Sequence, residues 1–74
     1  MTGEDDGVVR FWNVEEGWGV IDCPGTPGGC WTHFSAIEGE GFRAFDEGDT
    51  VRVRWESADQ DRYDYRATWA HLSS

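Results

Sequence analysis

The sequence predicts an all-β fold, a small closed barrel of five short strands. Ten Gly residues and a single Leu, Leu72, suit short strands and tight turns better than helices. β-Branched and aromatic residues come in brief runs divided by turn-forming residues. The 74 residues leave room for one domain with a narrow interior.

Taken in order, residues 1–6 (MTGEDD) are polar and are expected to form a disordered N-terminal tail, with the domain spanning residues 7–72. The first strand starts at Gly7 and carries Val8, Val9, Phe11, Trp12 and Val14, with Arg10 and Asn13 between them. Glu15-Glu16-Gly17 reads as a turn, and Trp18 to Cys23 as the second strand. Pro and Gly fill five of the six positions from Pro24 to Gly29, which marks a loop. Cys30 to Phe34 is the third strand. Ser35 to Glu47 mixes Gly and charged residues with Ile37, Phe42 and Phe45, and reads as a long connection with about one helical turn. Gly48-Asp49 is a turn, and Thr50 to Trp55 alternates polar and apolar with period two, the clearest strand in the chain. Ser57 to Asp61 reads as a polar turn before a last strand from Tyr63 to Leu72.

Charge and cysteine usage narrow the function. The formal net charge is −9, and all six basic residues are Arg. Such a chain is repelled from nucleic acid at long range, so any phosphate contact must rest on local Arg residues. No apolar run approaches the roughly 18 residues of a membrane span, and the opening residues lack a signal-peptide pattern, so a cytoplasmic protein without a membrane partner is expected. Cys23 and Cys30 lack the paired spacings of a zinc site, so neither metal nor cofactor is expected. They read as reduced thiols in the core, with a disulfide closing the Pro/Gly loop as the alternative. His33 has no Ser or Cys partner at a catalytic spacing, and His71 reads as an ordinary surface residue. Neither enzymatic activity nor a small-molecule substrate is expected.

The aromatic residues are the informative part. Trp18 and Val20 share one face of the second strand, and Ile21 and Cys23 occupy the other face. On the third strand Trp31 and His33 share a face, opposite Cys30 and Thr32. A hairpin through the Pro/Gly loop sets Trp18, Val20, Trp31 and His33 side by side, over a compact apolar face. An interior this small cannot enclose all five Trp, so some rings must be exposed. Bases stack on such rings with little sequence demand. The competing reading, that rings cover one another and staple a small core, suits Trp55 and Trp69 better than Trp18, Trp31, His33 and Phe34.

These residues also carry a resemblance. Residues 7–21, GVVRFWNVEEGWGVI, resemble the opening of bacterial cold-shock proteins, G-x-V-K-W-F-N-x-x-K-G-F-G-F-I, which holds the first RNA-binding motif. Cys30-Trp31-Thr32-His33-Phe34 is similar to the second motif, V-F-V-H-F, and residues 35–43 to S-A-I-x-x-x-G-F-K/R. The resemblance covers about residues 7–72. It implies a five-stranded antiparallel barrel of the OB type that binds single-stranded RNA or DNA by stacking.

Position by position, the resemblance implies that Trp18, Trp31, His33, Phe34 and Phe42 are stacking residues. Phe11 stands where the family has an exposed Trp, and Trp12 where it has Phe. Arg10 matches a Lys that approaches backbone or base, Arg62 a basic residue ahead of the last strand, and Asn13 is a candidate for a base edge. Three departures stand out: Glu16 replaces a Lys, Val20 replaces a stacking Phe, and the G-P-Q-A segment is replaced at residues 62–67. The function read from this is stacking-based binding of single strands by an RNA chaperone or a regulator of transcription or translation. The alternative is a barrel kept as a protein-interaction module. A monomer is expected, with a dimer swapped through the long connection as the other state.

Overall fold

The computed structural model describes residues 1–39 and 44–73. Five strands follow in sequence: β1 (Thr2–Asn13), β2 (Trp18–Asp22), β3 (Cys30–His33), β4 (Thr50–Gln60) and β5 (Tyr63–Leu72). A short 3-10 turn, Phe34–Ala36, follows β3 and matches the helical turn expected there. The strands close a barrel in the order β1-β2-β3-β5-β4. The fold is therefore the five-stranded all-β barrel of OB type that the sequence predicts. Its closure, between β3 and β5, is parallel and rests on one register pair, Trp31 with Arg66.

Two elements run further than the hydrophobic pattern indicates. β1 begins at Thr2, not Gly7, so residues 2–6 are an edge of the sheet rather than a disordered tail. β4 continues through Gln60, leaving only Asp61 and Arg62 as the turn. Both extensions are polar, and non-local partners hold them in strand form. Glu4 accepts Nε–H bonds from Arg52 at 2.8 Å and Arg54 at 3.0 Å. Inside the barrel, one Asp5 carboxylate oxygen accepts from the Trp55 indole at 3.0 Å and from the Gly25 amide at 3.1 Å. Gly3 and Gly25 leave room for Trp55: a Cβ on either would fall within 2.5 Å of its ring. Trp55 thus joins the first strand, the Pro/Gly loop and β4 at one end of the core.

The core proper is aliphatic and small. Val9, Ile21, Cys30, Val51, Val53 and Ala70 fill it, with Ile37 and Phe45 contributed by the described ends of the long connection. Both cysteines are free thiols. Burial pushes the Cys30 thiol up to about 12 and raises that of Cys23, which keeps both protonated and poorly nucleophilic. Among the described residues no helix is long and apolar enough to cross a membrane.

Candidate nucleic-acid interface

The outer face of β1, β2 and β3 is set by one irregularity. The β1–β2 register shifts between Val9 and Phe11, so a bulge falls at Arg10. Val9 stays in the core while Phe11 lies against Trp18, ring centroids 5.4 Å apart and edge-on. Trp12 then turns inward and meets Phe45 edge-on at 5.6 Å. Gly19, paired with Trp12, makes this possible, because a Cβ there would sit 2.2 Å from the indole. The exchange of Trp and Phe noted in the sequence therefore places Phe outside and Trp inside.

Trp18 pairs with His33, and Val20 with Trp31, in alternate registers of β2 and β3, with Gly19 and Thr32 paired between them. Trp18 and Trp31 lie nearly parallel, 6.1 Å between centroids and 21° between planes. Trp31 and His33 continue the row at 5.9 Å and 19°, and Phe34 follows at 4.4 Å from His33. Phe34 is 41% exposed, and Trp18, Trp31 and His33 are half-buried. Phe11, Trp18, Trp31, His33 and Phe34 thus form one solvent-facing band of rings. The remaining aromatic expectation, Phe42, lies outside the described residues.

Neighbouring polar groups set the posture of the rings. The Trp18 indole donates to Glu16 at 2.8 Å. The carbonyl oxygen of the Asn13 side chain accepts the Glu16 amide at 3.0 Å, which closes the turn beneath. Asn13 is therefore tied into that turn, with its NH2 group left for other partners. His33 Nδ1 accepts the Ser35 amide at 3.2 Å and lies 2.8 Å from the Ser35 hydroxyl, which fixes the imidazole plane. The Trp31 Nε1 is buried without a partner among the described residues, so this residue offers a ring face rather than a donor.

Val20 is fully buried, yet it does not belong to the core cluster. It lies on the outer face as a floor between its register neighbours Phe11 and Trp31. Gly29 closes over it, since a Cβ there would approach Val20 to 2.7 Å and Arg10 to 3.0 Å.

The arginines are mostly engaged. Arg10 donates to both oxygens of Asp22, through Nε at 3.0 and 3.2 Å, and to the Gly28 carbonyl at 3.2 Å. That hydrogen bonding holds the Asp22 carboxyl below its ordinary range and raises the Arg10 guanidinium. Arg10 is at the site, but as a donor pinned to both carboxylate oxygens of Asp22. Arg62 is exposed on the β4–β5 turn, where no carboxylate among the described residues lies within 4.0 Å of it. Arg54 lies over the Trp69 ring at 4.5 Å, and His71 is parallel to that ring at 6.0 Å. Trp69 is therefore half-buried outside the band and outside the core cluster; of the two rings assigned to stapling the core, Trp55 is the one packed in it.

Along the β3–β5 closure runs an open groove of about 480 Å³, with Trp31 and His33 on one side and Glu56, Gln60 and Arg66 on the other. The sequence reading missed Glu56, Gln60 and Arg66. Their only sequence signal was alternation continuing past Trp55 and through residues 62–67.

A closed five-stranded barrel with a band of exposed rings on three strands defines a small OB-type binding domain. Residues 5–63 match the family model described as 'Cold-shock' DNA-binding domain. The chain is 49% identical over 45 residues to the cold shock-like protein CspLB of Listeria monocytogenes, covering 61% of this chain and 67% of that one. It is 41% identical over 54 residues to the major cold shock protein CspA of Bacillus cereus, covering 73% and 79%. It is 40% identical over 53 residues to the major cold shock protein of Micrococcus luteus, covering 72% and 76%. The chain belongs to the cold-shock domain family, a family of nucleic-acid-binding domains.

Proposed function

We propose that this protein binds single-stranded RNA or DNA by stacking unpaired bases on Phe11, Trp18, Trp31, His33 and Phe34, and acts as a chaperone that favours unpaired strands. The observation that carries this reading is the row of three near-parallel rings, Trp18, Trp31 and His33, at spacings of 6.1 and 5.9 Å on one outer face. Each stacked base contributes about 1–3 kcal/mol, with little dependence on sequence. Duplex DNA offers no unstacked faces, so preferential binding shifts hairpins toward the open strand by mass action.

Electrostatics is secondary here. The net charge is −9, and Arg10, Arg52, Arg54 and Arg66 are bound to carboxylates. Few counterions are released, so the logarithmic dependence of affinity on salt has a slope of about −1, as one or two neutralised phosphates give. Titrating the protein with a pyrimidine-rich single strand, and with its duplex, tests the reading. Binding at micromolar concentration or tighter, confined to the single strand, is expected. A flat response at low salt overturns it and favours the barrel as a protein-interaction module.

A further inference from the structure

The groove beside Trp31 carries an arrangement that stacking alone does not use. Trp31 on β3, Arg66 on β5 and Glu56 on β4 are register partners, so they form one row across three strands. With strands about 4.8 Å apart, the row spans roughly 10 Å, within reach of a base lying on Trp31. Arg66 Nε donates to Glu56 Oε2 at 2.6 Å. Among the described residues that bond leaves Glu56 Oε1 and the terminal N–H groups of Arg66 unused. Both side chains line the groove and keep solvent contact, 50% for Arg66 and 31% for Glu56. Gln60 and Thr68 line it too.

A base on this platform therefore meets donors beside acceptors along one edge. Guanine complements that order: O6 is an acceptor, and N1–H and N2–H2 beside it are donors. A carboxylate takes two neighbouring N–H groups at once, the strong charge-assisted form, while a guanidinium donates to O6. Cytosine presents one donor group, N4–H2. Uracil and thymine flank their one N–H with two oxygens, which a carboxylate repels. Adenine likewise presents one donor group, N6–H2, with the N1 lone pair beside it. The indole and imidazole faces, 5.9 Å apart, also favour the larger area of a purine.

We propose that this groove is a guanine-selecting subsite, with Arg66 and Glu56 reading the edge of the base that stacks on Trp31. The inference rests on the stacking reading and adds a base preference to it. It also gives Glu56 a role beyond its ion pair with Arg66, on a face where a carboxylate repels phosphate.

Short end-labelled deoxythymidine strands, unaltered or carrying one guanine, cytosine or adenine at the middle, test it by fluorescence anisotropy. The guanine strand is expected to bind about fivefold tighter than the all-thymine strand, with cytosine and adenine, one donor group each, between them. Glu56→Gln keeps the shape and removes the charge, so the guanine-to-thymine ratio should fall toward unity; Arg66→Ala should lower it as well, and circular dichroism verifies that both variants are folded. Equal binding of all strands, preference for another base, or a guanine preference that survives in both folded variants overturns the inference while leaving stacking intact. Failure of every strand to bind at low salt overturns the stacking reading and this subsite with it.

Discussion

Glu16 holds Trp18: the indole N–H donates to the Glu16 carboxylate at 2.8 Å, from a turn that Asn13 closes. The residue that reverses a charge beside the band of rings is thus also the one that orients its first wide ring. The two effects are separable. Glu16→Gln and Glu16→Ala remove the same charge, but only Gln keeps an acceptor. Glu16→Gln should bind a single strand about twofold tighter than the parent at low salt, where phosphate repulsion is least screened. Glu16→Ala should bind more weakly than Glu16→Gln, by about 0.5–1.5 kcal/mol for the lost hydrogen bond. Parallel titrations check this, and equal affinities would remove the anchoring role.

Val20 marks where the family's second Phe platform is missing, and restoring the ring should not restore the platform. The side chain is 0% exposed and enclosed by Phe11, Trp31 and Gly29. Val20→Phe overfills that space and should cost about 1–3 kcal/mol of stability. Urea denaturation measures it; an unchanged midpoint with tighter binding would show that the ring had found an outward position.

Asp5 is the keystone of the extended first strand. Loss of its carboxylate in Asp5→Ala leaves the Trp55 indole and the Gly25 amide without their acceptor, a cost of about 1–3 kcal/mol. Asp5→Asn retains a carbonyl acceptor and should cost less. Denaturation midpoints of the two variants should rank in that order.

Acid should loosen the barrel edge. Hydrogen bonds from Arg52 and then Arg54 hold Glu4 below the usual carboxylate range, and Arg10 does the same for Asp22. A carboxylate with a depressed folded pKa contributes stability that is fully present above its unfolded value, about 4, and is lost as pH falls through the folded value. Melting temperature should therefore decline below about pH 4, with no contribution from these groups to any change between pH 6 and 8. The double variant Glu4→Gln, Asp22→Asn should show a shallower acid decline, measured by thermal melts across that range.

Much of this was legible in the chain because period-two alternation survives in short strands. Trp18, Val20, Trp31 and His33 share a face as the spacing requires, and Ile21 and Cys30 fill the core beneath them. What escaped was non-local. Residues 2–6 look unfit for a strand until Arg52, Arg54 and Trp55 are set beside them. The bulge at Arg10 depends on Gly19 yielding space to Trp12, and no run of residue types displays that. Val20 reads as part of the outer face because period two puts it beside Trp18, while its cover comes from rings on two other strands. Glu56, Gln60 and Arg66 were hidden for a similar reason: only the parallel closure brings them beside Trp31.

The most direct measurement is the affinity of Trp18→Ala and Trp31→Ala for one pyrimidine-rich single strand, with each variant verified as folded by circular dichroism. Trp69→Ala, outside the band and covered by Arg54, serves as the control. Each band variant should lose about tenfold or more in affinity, and the control should bind as the parent does. Folded Trp18→Ala and Trp31→Ala proteins that bind as tightly as the parent would contradict the stacking mechanism.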